Sequence, residues 1–172
     1  MREAASLHVL NKIYTTSIQP VIDYAICSWG FTYEYNIKKV QRLQNFAGRI
    51  ITGNFDYINS RGSDIIKTLG WMTVTQRRNY FTLLLMFKCV TGKAPAYMLN
   101  NVIMQNEIEQ AYELRSGNSK NVIVPYSYSN KLRFSFNYNS AILWNQLPDA
   151  FKNISELCVF KYAIRNYVFN HM

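Results

Sequence analysis

The chain has 172 residues, 49% of them hydrophobic and 17% charged, a balance that predicts one folded domain with at most a small appendage and excludes a disordered chain. Nineteen lysines and arginines against ten acids leave a formal charge of +9, which calls for an anionic partner, nucleic acid or an acidic membrane surface. Three widely spaced cysteines, Cys27, Cys89 and Cys158, exclude a disulfide framework or a CxxC zinc site and are expected to be reduced and mostly buried.

The first helix is marked by a stripe at Leu7, Leu10, Tyr14, Ile18, Val21 and Ala25. Pro20 interrupts it, so a kink or a joint between two helices is expected near Gln19, with the second piece ending around Trp29 and Gly30. A second helix spans about 35–52 and is stopped by Gly53. Ile37, Val40, Leu43, Ala47, Ile50 and Ile51 project to its expected core side. Lys38, Arg42 and Arg49 fall within roughly 40° of one another on the other side, a basic ridge. A loop over 53–62 precedes a short helix from Ser63 or Asp64 to Leu69, ended by Gly70. Thr73 and Gln76 form a capping box that opens a helix running to about Thr91, apolar nearly all round in its second half and stopped by Gly92 and Pro95.

A helical turn is expected over 95–99 and a domain boundary near 105, giving regions 1–104 and 105–172. In the second region 122–124 and 133–136 are candidate strands, followed by a helix over 135–145 and one capped by Ser155 with Leu157, Phe160, Ile164 and Val168 on one face. The expected fold class is therefore mainly α, a helical bundle with a small C-terminal α(+β) extension. Residues 1–95 carry twelve basic and five acidic side chains, so +7 of the +9 belongs to them. No apolar segment of signal-peptide length opens the sequence, and the greasiest stretch, 81–90, is broken by Thr82 and Lys88; an intracellular chain without a membrane span is expected.

Catalytic chemistry has little to work with. The histidines, His8 and His171, stand near the termini and beside no glycine-framed nucleophile, and neither GxxxxGK[ST] nor a GxGxxG after a strand occurs. The nearest cluster of acids, Glu107, Glu109 and Glu113, reads as a solvated face. No enzyme, cofactor, metal or small-molecule substrate is expected.

The segments IYTTSIQPVIDYAICSWG, KKVQRLQNFAGRIITG and DIIKTLGWMTVTQRRNYFTLLLMFKCVTGKAPAYML resemble, in order and spacing, the region after the polymerase centre of non-LTR (LINE-type, jockey-like) retrotransposon reverse transcriptases. YELRS near 112, NVIVP near 121 and the WNxLP at Trp144 to Pro148 resemble that family's C-terminal tail. The resemblance implies a thumb-like bundle followed by the tail, without the paired aspartates that hold magnesium in the family's palm. Asp23, in VIDYA, falls where the thumb starts and is not expected to bind metal.

It also implies a non-catalytic piece of an RNA-directed DNA polymerase that grips RNA or DNA by its phosphates and contacts the palm and fingers. Lys38, Arg42 and Arg49 are the first candidates for that grip, then Lys39, Arg77 and Arg78; the plain alternative is that all six are solvent-facing charges on amphipathic helices. Phe46 stands where the family usually has an arginine, and Asn139 with Ser140 where Arg-Gly is common, two losses of charge that point to relaxed constraint. The rival function is a helical protein-interaction module or an inactive remnant without nucleic-acid binding. Trp29, Trp71 and Trp144, each beside a helix end, are expected to plug joints between helices rather than stack on bases.

Overall fold

The computed structural model describes residues 5–105 and 120–172, and within them the protein is mainly helical. YELRS and the acids Glu107, Glu109 and Glu113 lie outside the described residues. Two compact units, Met1–Arg78 and Asn79–Met172, divide the chain. The division falls inside a helix, not near 105. The change of composition near 105 falls within the second unit, where the Asn145 side-chain amide ties down the backbone of Val122, a contact that apolar periodicity does not register. With this division the charge is nearly even: ten basic and five acidic residues (+5) in the first unit, nine and five (+4) in the second.

Helix α1 (Leu7–Ile13) is capped by Ser6, whose hydroxyl accepts the Val9 N–H at 3.4 Å. The kink expected at Pro20 takes the form of a wide π-helical turn, Tyr14–Ile18, before α2 (Gln19–Asp23). There the Gln19 N–H reaches back five residues to the Tyr14 carbonyl, and the Thr16 hydroxyl donates to the Lys12 carbonyl at 2.8 Å. A second break follows at Ala25, which holds φ 50° and ψ 27°. An alanine in this left-handed region costs roughly 1–2 kcal/mol; the Trp29 indole, donating to the Tyr24 carbonyl at 2.8 Å, ties the corner before and after α3 (Ile26–Trp29).

Helices α4 (Glu34–Thr52), α5 (Gly62–Thr68) and α6 (Val74–Val90) match the expected spans within one or two residues. The expected stops Gly53, Gly70 and Gly92 take φ values of 70°, 67° and 69°. At the head of α6 the Thr73 N–H donates to Gln76 Oε1 at 2.9 Å and the Gln76 N–H to Thr73 Oγ1 at 3.2 Å, the reciprocal cap the sequence predicts. The core of the first unit gathers Tyr14, Ile51, Ile66 and Trp71. Tyr14 and Trp71 stack with centroids 4.0 Å apart, and the Trp71 indole donates to Asn11 Oδ1 at 3.0 Å. Burial pushes the Tyr14 hydroxyl above its ordinary pKa.

The second unit continues through α7 (Ala96–Leu99), α8 (Asn130–Arg133), α9 (Phe136–Asn145), α10 (Asp149–Lys152) and α11 (Leu157–His171). Phe160, Ile164 and Val168 of α11 are fully buried, on the face their spacing predicts, and Phe160 stacks on Phe87 at 4.2 Å. Glu156, rather than Ser155, occupies the N-cap of α11. Of the two candidate strands, only 122–124 pairs: Val122 bridges Met104 in antiparallel fashion, with the Ile123 N–H donating to the Ile103 carbonyl at 2.9 Å. Residues 133–136 are instead the end of one helix and the start of another. Two serine caps decide this, Ser129 accepting the Leu132 N–H and Ser135 the Tyr138 N–H, because a satisfied helix start outweighs the alternation of Arg133, Phe134, Ser135 and Phe136.

The WNxLP stretch clamps the bridge segment. Asn145 Oδ1 accepts the Val122 N–H at 2.9 Å while its Nδ2 donates to the Val122 carbonyl at 2.8 Å, so one side-chain amide does what a neighbouring strand would do. The Trp144 indole donates to the Lys120 carbonyl at 2.9 Å, and the buried Lys152 ammonium donates to Asn121 Oδ1 at 2.8 Å.

The cysteines differ from the expectation of mostly buried thiols. Cys89 is buried, Cys27 half-buried and Cys158 exposed, and burial pushes the Cys89 thiol up from its ordinary pKa. Since the thiolate is the nucleophile, iodoacetamide at neutral pH is expected to label Cys158 first and Cys89 last. Peptide mass spectrometry over time reads the order, and early labelling of Cys89 would contradict its packing.

Candidate nucleic-acid interface

The candidate surface is the outer face of α4, and its orientation is set by two glutamines. Gln41 Oε1 accepts the Val74 N–H at 2.9 Å, and Gln44 Nε2 donates to the Met72 carbonyl at 2.9 Å. Gln41 also donates to Gln44 Oε1 and Asn45 Oδ1. These bonds satisfy backbone groups at the entrance to α6 that would be costly to leave unpaired. They turn the helix by roughly 50° from the direction its apolar centroid predicts. The inward face is Ile37, Gln44, Gly48 and Ile51. Val40 and Ala47 are half-buried, and Leu43 and Ile50, expected in the core, stand 67% and 40% exposed.

Lys38, Lys39 and Arg42 all face solvent on this helix. Lys38 pairs with Glu34 at 2.9 Å; both side chains are exposed, a contact worth roughly 0.3–0.5 kcal/mol that a phosphate can displace. The Lys39 ammonium lies 5.0 Å from the centre of the Tyr35 ring. Tyr33 and Tyr35, both exposed and absent from the expected site, open the same face, with Phe46 further along it. Their signal in the sequence is the interleaving of aromatic and basic residues over 33–42.

The other three candidates hold the unit together. Arg49 shares the azimuth of Lys38 and Arg42 yet is only 5% exposed, because the loop after Gly53 doubles back over it. Its guanidinium donates to the carbonyls of Asn54 (3.1 Å), Asp56 (2.9 Å) and Ser60 (2.6 Å) and lies over the Tyr57 ring. Within that loop the Asn59 and Ile58 N–H groups hold the Asp56 carboxyl below its ordinary pKa. Arg77 forms a two-pronged ion pair with Asp23, both largely buried, and this is the role of the aspartate in VIDYA. Arg78 donates to the Gly30 carbonyl at 3.2 Å and covers the Phe31 ring, and burial holds it below the ordinary arginine pKa.

Trp71 and Trp144 are buried and present no face to a base. Further exposed cations sit on the second unit, Lys131 and Arg133 on α8 and Lys161 and Arg165 on α11, the latter pair legible from its i,i+4 spacing. Among the described residues no group of three or more His, Cys, Asp and Glu could hold a metal ion, and no helix is long and apolar enough to cross a membrane. No protein family, curated protein or solved structure matches the chain.

Proposed function

We propose that this chain is a non-catalytic nucleic-acid-binding piece of a retrotransposon reverse transcriptase, as its resemblance to that family's thumb and tail implies, and that it holds RNA or DNA duplex by the phosphates on α4. The observation that carries the reading is the exposure of Lys38, Lys39 and Arg42 within an arc of about 100° and roughly 6 Å of rise on α4, with an aromatic pair at its head. Such contacts bind the backbone without reading bases, and they draw their affinity from released counterions.

Three neutralised phosphates give a salt slope of about −2.7, so duplex affinity is expected to fall roughly 40-fold between about 50 and 200 mM salt. Fluorescence polarisation with a labelled duplex measures it, and the variant K38A/K39A/R42A is expected to flatten the slope. An unmodified chain whose duplex affinity ignores salt would refute the phosphate mechanism.

A second reading has its own observation. Leu43, Phe46 and Ile50 are exposed on the same helix, an apolar surface suited to a protein partner such as a polymerase palm or fingers. Salt-insensitive association, seen by sedimentation with such a partner and lost on Leu43→Glu, would favour it.

A further inference from the structure

The aromatic and basic arrangement at the head of α4 occurs again in the second unit. Tyr33, Tyr35 and Lys38 follow the pattern Tyr-x-Tyr-x-x-Lys, and Tyr126, Tyr128 and Lys131 repeat it. The ring centroids are 6.4 Å apart with planes at 30° in the first copy and 6.3 Å apart at 35° in the second. Tyr126 and Tyr128 are 86% and 81% exposed.

The second pair stands over an open groove. Tyr126 lines a cleft of about 350 Å³ with Asn101, Ile103 and Tyr138, and also an adjoining shallow one of about 470 Å³ with Tyr128 and Arg133. No acidic residue lines either cleft among the described residues, and Lys131 and Arg133 are exposed beside them. A flat ring held on both faces needs about 7 Å between parallel rings, more than these tilted rings leave, so a base stacks on an outer ring face that their exposure leaves open. An unpaired base offers two free faces, whereas a base inside a duplex has already spent them on its neighbours.

We infer that Tyr126 and Tyr128, with Lys131 and Arg133, form a binding site for single-stranded nucleic acid: the exposed rings give stacking faces to unpaired bases and the two cations take the flanking phosphates. The inference goes beyond duplex binding on α4 and stands on residues of the second unit alone.

The test uses the full chain carrying Y33A/Y35A/K38A/K39A/R42A, which removes both the cations and the tyrosine pair of α4, and a labelled oligo(dT) of about ten nucleotides read by fluorescence polarisation. This background is expected to keep binding the oligonucleotide. Adding Y126A/Y128A is expected to weaken binding about 5-fold or more, the loss of at least one base–ring stack, whereas Y126F/Y128F retains it. An abasic oligomer of equal length is expected to bind the background as weakly as oligo(dT) binds Y126A/Y128A. Because both tyrosines are exposed, circular dichroism is expected to be unchanged in these variants. Loss of all oligonucleotide binding in the background, equal binding by Y126A/Y128A, or equal binding of the abasic oligomer would each overturn the site. A flat duplex salt slope with these results intact would refute the α4 reading and leave this one standing.

Discussion

Trp144→Ala is expected to remove about 4 kcal/mol of stability from the second unit, a large share of what a domain of this size possesses. The indole is only 1% exposed, lies 6.1 Å from the Phe160 ring, and carries the hydrogen bond to the Lys120 carbonyl. Truncation therefore leaves a cavity and an unmade bond together. Trp144→Phe keeps most of the ring and is expected to cost about 1–2 kcal/mol. Asn145→Ala, which abandons both backbone groups of Val122, is expected to cost about 2 kcal/mol. Urea denaturation followed by circular dichroism measures all three; a Trp144→Ala loss below about 1 kcal/mol would contradict the clamp.

The second large effect separates two arginines that the sequence treats alike. Arg49→Ala is expected to cost about 3 kcal/mol, since three charge-assisted bonds to the loop carbonyls vanish at once, and to leave the duplex salt slope unchanged. Arg49→Lys should not rescue it, because an ammonium cannot reproduce the planar fork that meets three carbonyls. Arg42→Ala is expected to do the opposite, staying within about 0.5 kcal/mol in stability while the salt slope falls by about 0.9. Denaturation and salt titration on the same two variants decide it: equal slopes for both would remove the distinction between a structural and a phosphate-facing arginine.

What could be read from the sequence follows from where the physics is local. Caps, glycine stops and the i,i+4 stripe of Phe160, Ile164 and Val168 depend on neighbours a few residues away, so helix spans were predictable. The facing of α4 was not, because Gln41 and Gln44 turn inward to reach Val74 and Met72, some thirty positions on. Hydropathy counts a glutamine as polar and has no means of crediting it with a distant backbone partner. Arg77 and Arg78 escaped for the same reason: Asp23 and Gly30 are close in space and far in sequence. Of the six candidate cations, Lys38, Lys39 and Arg42 are exposed while Arg49, Arg77 and Arg78 are tied into the fold, and the exposure of Tyr33 and Tyr35 beside the first three is a tertiary property that interleaving alone does not fix.

The wide turn at Tyr14–Ile18 fixes the angular phase of everything before it. Such a turn absorbs one residue more than an ordinary helical path needs. Deleting Ser17 would let the backbone rewind to a regular helix without rotating α1, because the residue removed is the surplus one that the turn already takes up. Leu10 would stay on the aromatic stack and Asn11 within reach of the Trp71 indole. A lost codon here is thus expected to do less harm than the same loss inside α4, where each residue advances the rod by about 100° and a deletion mis-times everything beyond it.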